Sequence, residues 1–95
     1  MTTLQNHRIP VDAAFLQGHF PEQAIVPGVA LLDYAKNRLL GDEAVITRIR
    51  SLKFPAPLLP GQDFQLHYQQ TKEHQYTLIA QTEQGLLMEA KVDVK

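Results

Sequence analysis

No cysteine occurs anywhere in the 95 residues, so neither a disulfide framework nor a thiolate zinc site can form. An excess of one charge is also missing: nine Lys and Arg stand against ten Asp and Glu, for a formal net charge of −1. A general nucleic-acid binder would be strongly basic, and no nucleic-acid partner is expected. No apolar run approaches the ~20 residues of a membrane span. The opening stretch, MTTLQNHRIP, lacks the basic and apolar regions of a secretory signal. No membrane span and a cytoplasmic location are therefore expected. Repeats, low-complexity tracts and linkers are absent too, and residues 1–95 read as a single domain. With 44% hydrophobic and 20% charged residues, the composition is that of an ordinary globular protein. A chain this short buries roughly 60–68% of its unfolded surface, so association with a second subunit would cover useful apolar area.

What is present follows two periods. Pro27 suits the first position of a helix, where its missing N–H is no loss, and Gly41 suits the residue just past the end. Between them Val29, Leu32, Ala35 and Leu39 give a helical stripe, with Lys36, Asn37 and Arg38 at the wetter end. Upstream, residues 4–10 predict a short first strand ending at Pro10. Ala13 to Val26 predicts an irregular segment with one helical turn at Ala13-Ala14-Phe15-Leu16. After Gly41 the period drops to two. Residues 44–54 predict a strand with Arg48 and Arg50 on one face and a bulge near Leu52. Phe64, Leu66 and Tyr68, then Tyr76, Leu78 and Ala80, then Leu86, Met88, Ala90, Val92 and Val94 mark three more. Pro60-Gly61, Lys72 to Gln75, and Gln84-Gly85 supply turns. One helix followed by an antiparallel meander is an α+β pattern.

The chemistry concentrates in Gly18-His19-Phe20-Pro21 and Val26-Pro27-Gly28-Val29-Ala30-Leu31-Leu32-Asp33. Histidine is the side chain whose unperturbed pKa suits proton transfer near neutrality. A carboxylate among Leu31, Leu32, Tyr34 and Ala35, if buried, would have its pKa raised and could hold a proton as a general acid. Base and acid candidates thus flank a helix N-terminus, which can stabilise an oxyanion. Taken alone, His19 reads as a loop histidine capping a carbonyl, Asp33 as a solvated helix residue, and Gly28 as an aid to helix entry. The remaining histidines, His7, His67 and His74, read as solvated surface. No pair has metal-site spacing, and no metal is assigned. Arg48, Arg50 and Lys53, with Lys36 and Arg38 as further candidates, form either a charged guard on an edge strand or a docking patch for an acidic partner.

The run HFPEQAIVPGVALLD resembles the signature of the β-hydroxyacyl-acyl carrier protein dehydratases of the hot-dog fold, matching at His19, Phe20, Pro27, Gly28 and Asp33. Leu52-Lys53-Phe54-Pro55-Ala56-Pro57-Leu58-Leu59-Pro60-Gly61-Gln62-Asp63 is similar to a second family segment, and Gly85 to Ala90 to its last strand. The resemblance runs from about Phe15 onward. It implies an antiparallel sheet of about five strands wrapped around one central helix. It also implies dehydration of 3-hydroxyacyl thioesters to trans-2-enoyl thioesters, the substrate being a 3-hydroxyacyl phosphopantetheine on acyl carrier protein. His19 would be the base and Asp33 the acid, with Gly28 holding the thioester oxygen and Asn37, Phe20 and Pro27 completing the substrate site. No cofactor is implied. A homodimer or higher homo-oligomer with sites shared across the interface is implied, with a heterodimer of homologues as the variant. Arg48, Arg50 and Lys53 would meet the carrier protein. Three departures stand out. Glu22 and Ala24 replace the family's usual Gly and Pro, and Asn37 stands where Gln is common. A hot-dog thioesterase and a non-catalytic subunit that pairs with an active homologue are the alternative readings.

Overall fold

A computed structural model describes residues 2–3, 7–8 and 26–95. His19, Phe20, Glu22 and Ala24, the helical turn expected at 13–16, and most of the strand expected at 4–10 lie outside the described residues. The elements are β1 (Thr2–Thr3), β2 (His7–Arg8), α1 (Gly28–Leu40), β3 (Ile46–Lys53), β4 (Asp63–Lys72), β5 (Gln75–Thr82) and β6 (Gly85–Val94). All pairings are antiparallel, in the order β1-β4-β5-β6-β3, with β2 also on β4. Thr3 lies opposite His67 and His7 opposite Phe64. The two short pieces therefore follow one track along β4, slipped by a residue, and the sheet is effectively five-stranded. It wraps the single helix, as a hot-dog fold does. No helix among the described residues is long and apolar enough to cross a membrane.

The helix starts one residue later than expected. Pro27 is its N-cap, with φ −58° and ψ 139°, and Gly28 opens the first turn. At the other end Gly41 takes φ +96°, a conformation that side chains resist, and its N–H donates to the Asn37 carbonyl at 3.2 Å. The buried stripe differs from the one the sequence suggests. Leu31, Leu32 and Ala35 face the sheet, while Val29 is 77% exposed. At 100° per residue Val29, Asp33 and Asn37 share a face one turn apart, and that face points away from the core.

Phe64, Leu66, Leu78, Ala80, Met88, Ala90 and Val92 carry the sheet's side of the core, on the alternate positions that period-2 patterning predicts. Leu87 breaks the alternation: it is buried too, although its neighbour Met88 is fully buried. The register steps between Ala80 and Gln81, so that Met88 faces Ala80, Leu86 faces Gln81, and Leu87 is passed over. An extra residue at a bulge can turn inward without a partner. In β3 the steps fall between Ile46 and Arg48 and between Ile49 and Ser51, earlier than the bulge expected near Leu52.

Because Leu78 is fully buried at the centre of the sheet, Leu78→Ala should lower the unfolding free energy by about 2–5 kcal/mol. Leu59→Ala, at a half-exposed site, should stay within about 0.5 kcal/mol. Urea unfolding of the two variants checks the contrast.

Candidate active site

The outward face of α1 carries the acid. Pro27, Val29, Ala30, Asp33, Tyr34 and Asn37 line an open hollow of about 580 Å³. Asp33 is exposed there, which corrects the expectation of a carboxyl buried among Leu31, Leu32 and Tyr34. Leu31 and Leu32 turn the other way, into the sheet. The Asn37 side-chain amide donates to Asp33 Oδ2 at 3.4 Å, a long bond between residues one helical turn apart. It keeps the carboxylate over the hollow without burying it.

Gly28 lies at the start of the same helix. As a first-turn residue it has no acceptor for its N–H within the helix, and the partial positive charge of the helix end adds to that donor. Its neighbours are tied down. The Val26 N–H donates to the Leu58 carbonyl at 2.8 Å, and the Leu31 N–H to the Pro27 carbonyl at 3.0 Å. The glycine is required by close approach: a Cβ at position 28 would stand 2.7 Å from Cζ of Phe54. Pro27, Asp33 and Asn37 therefore line one hollow on the outward face of α1, and Gly28 opens the same helix five residues before Asp33. His19 and Phe20 lie outside the described residues.

Two residues at this site had gone unassigned. Tyr34 lines the hollow beside Asp33, and it anchors a polar cluster on its other side. His7 Nδ1 is 3.0 Å from the Tyr34 hydroxyl, the His7 ring stacks edge-on to Tyr34 and tilted over Phe64, and the Arg38 guanidinium lies 5.2 Å over the Tyr34 ring. His7 is thus half-buried and not solvated surface as expected. Its Nε2 is buried without a hydrogen-bond partner among the described residues. Burial, and then the nearby Arg38 charge, hold its pKa below 6.5. The second unassigned residue is Phe54, whose ring covers the start of α1. Only a three-dimensional contact reveals either role. His67 is half-buried within β4, against expectation, and His74 is exposed in the β4–β5 turn.

Arg48, Arg50 and Lys53 all lie exposed on β3, the last strand of the sheet order. Their surroundings are less basic than the sequence suggests. Arg50 Nε donates to Asp93 Oδ1 at 2.8 Å, which holds that carboxyl below its usual range. Arg48 lies opposite Asp93 and Lys53 opposite Glu89. Among the described residues no group of acids and histidines could hold a metal ion.

The ApeI dehydratase (ApeI-like) family model matches residues 2–90. The chain belongs to the ApeI-like dehydratase family. Among curated relatives, the 3-hydroxyacyl-[acyl-carrier-protein] dehydratase FabZ of Bartonella bacilliformis is 27% identical, over 88% of this chain and 64% of that protein. The FabZ of Lactiplantibacillus plantarum is also 27% identical, over 68% of this chain and 51% of that protein. The chain thus spans from half to just under two thirds of the length of these relatives. Among solved structures, the dehydratase heterocomplex ApeI:P from Xenorhabdus doucetiae matches with a TM-score of 0.73 and 26% identity, covering 94% of this chain and 82% of that one. A hypothetical protein from Aquifex aeolicus matches at a TM-score of 0.70 with 15% identity, over 96% of this chain and 93% of that one. That likeness bears on the fold alone.

The lowered pKa of His7 has a consequence for stability. As pH falls past 6.5, the unfolded chain takes up the imidazole proton before the folded chain does, and stability must decline. Unfolding midpoints should therefore drop between about pH 7.5 and about pH 5.5, a span around the ordinary imidazole pKa. In His7→Phe that part of the decline should vanish. Urea titrations of both proteins across this range measure it.

Proposed function

We propose that this chain dehydrates 3-hydroxyacyl thioesters, carried on acyl carrier protein, to trans-2-enoyl thioesters. The observation that carries the reading is the placement of the Asp33 carboxylate, with its Asn37 partner, on the outward face of α1 one and a half turns from the first-turn N–H of Gly28, which has no acceptor within the helix. At ~1.5 Å of rise per residue, the two groups stand about 7–8 Å apart along the axis. A thioester carbonyl held at one and a 3-hydroxyl directed at the other would span such an interval, directly or through a water.

In this mechanism neutral His19 removes a proton from C2, next to the thioester carbonyl. Charge builds on the carbonyl oxygen, where the Gly28 N–H and the helix end stabilise it; a preorganised donor of this kind contributes ~3–4 kcal/mol. Asp33 gives a proton to the 3-hydroxyl, the C3–O bond breaks, and water leaves as the C2–C3 double bond forms. The transfer is favoured in a site closed off from water, and cover from a second subunit supplies that closure over the exposed Asp33. The uncovered face next to Val29, and the outer edge of β3 with half-exposed Ile49 beside it, are surfaces such a subunit would bury. The cover is a second copy of this chain or a homologous subunit. The heterocomplex described for the Xenorhabdus neighbour favours keeping the second form in view. Arg48 and Lys53 are the cations on β3 best placed to meet an acidic carrier protein, since Arg50 is already engaged by Asp93.

Asp33→Asn removes the acid while keeping the shape and the Asn37 contact. Because the side chain is exposed, folding should be unaffected and dehydration of a 3-hydroxyacyl N-acetylcysteamine thioester should fall by at least ~100-fold. Near-parental turnover in that variant would overturn Asp33 as the acid. Free thiol without enoyl product from the parent protein would establish a thioesterase instead.

A further inference from the structure

Tyr34 follows Asp33 on α1, lines the same hollow and is half-buried. Away from the hollow its ring is held from β2, from β4 and from its own helix. The His7 ring on β2 meets it edge-on, with centroids 5.6 Å apart and planes at 86°. The Phe64 ring on β4 lies 5.8 Å away, inclined by 59°. One turn along α1 the Arg38 guanidinium stands over the ring face, where a cation is attracted. The hydroxyl adds a directional tie, at 3.0 Å from His7 Nδ1. His7 is itself well placed to hold: it lies opposite Phe64 in the β2–β4 pairing, and next to it Arg8 Nε donates to Asp63 Oδ1 at 2.7 Å.

Packing alone does not require a histidine here. Phenylalanine at position 7 would fill the space beside Phe64 without burying a nitrogen. His7 Nε2 is buried with no hydrogen-bond partner among the described residues, and such a group costs stability. What the histidine adds is the bond to the Tyr34 hydroxyl. Without that tie a phenol ring turns about a broad torsion, and a wall that moves lets a substrate in the hollow drift from Asp33. We propose that His7 and Tyr34 are a positioning pair: His7 fixes the Tyr34 ring, and the ring keeps the 3-hydroxyl of the substrate within reach of Asp33. The inference rests on the dehydratase reading and adds to it two residues that the signature run does not contain. A misplacement of about 1 Å can cost ~100-fold in rate, so a wall that is loosened but not removed should cost about tenfold.

The test compares Tyr34→Phe, His7→Phe, the double variant and His7→Asn on a 3-hydroxyacyl N-acetylcysteamine thioester, with turnover expressed per folded molecule. Each phenylalanine keeps a ring in place and removes the tie. In both single variants kcat should fall about tenfold while KM stays within about twofold. The double variant should be no slower than either single one, because both break the same bond. His7→Asn keeps a polar atom at the δ position and should turn over faster than His7→Phe. A pair that serves stability alone would change the urea midpoints and leave kcat per folded molecule in place, and that result would overturn the proposal. So would losses that multiply in the double variant. A parent protein that forms no enoyl product would refute the dehydratase reading, and the pair is then decided by binding. The matching 3-hydroxyacyl amide, whose C2 proton is too weakly acidic to be removed, should shift the Tyr34 ring resonances of the parent, and by a different amount in His7→Phe. Ring resonances that the amide leaves unmoved would overturn the pair as well.

Discussion

The packing of one side of α1 into the curved sheet is the constraint from which the site follows. Leu31, Leu32 and Ala35 are buried against Phe64, Leu66, Leu78 and Met88, and they fix the rotation of the helix about its axis. A helix has only one rotation. Once these three residues face inward, Val29, Asp33 and Asn37 must face outward, with Tyr34 at the margin beside His7 and Phe64. A rotation of one residue position would carry Asp33 toward the sheet, where no described cation waits to receive it. The core thus decides where Asp33 stands, and that position leaves its carboxyl exposed in the single chain.

That exposure is informative because the proposed chemistry is favoured in a site closed off from water, and the described residues of a single chain leave the Asp33 carboxyl open to solvent. The chain's exposed apolar residues Val29, Ile49 and Phe54 fall near the helix start and along β3. Apolar groups gathered there and left in water mark surfaces for a partner. The same subunit contact would bury the strand edge, cover Val29 and shield Asp33 from water.

Much of the fold was legible in the sequence. Gly41 ends the helix where expected, and the alternation of Phe64, Leu66, Leu78, Ala80, Met88, Ala90 and Val92 marks the inner face of the sheet. The rotation of α1 was harder to read. Apolar residues occur at 29, 30, 31, 32, 35, 39 and 40, nearly all round the helix, so several stripes fit and only the sheet selects among them. Leu87 was missed because a bulge changes phase without leaving a mark in composition. His7 was read as surface because its partner, Tyr34, is 27 residues away and the pairing exists only once β2 lies along β4. The sequence pattern put Gly28 at the start of the helix and Asp33 within it, and the structure has both there. The Phe54 contact that makes glycine necessary at position 28 could not be read from spacing.

The family resemblance implies, and the proposed covering subunit agrees with, a site that takes its histidine and its acid from different chains. It is tested most directly by mixing two inactive proteins, His19→Ala and Asp33→Asn, after confirming that their subunits exchange. Each mixed dimer would hold one site with both groups intact, so dehydration should return in the mixture and be absent from either variant alone. A mixture that exchanges subunits and remains inactive would contradict the shared site.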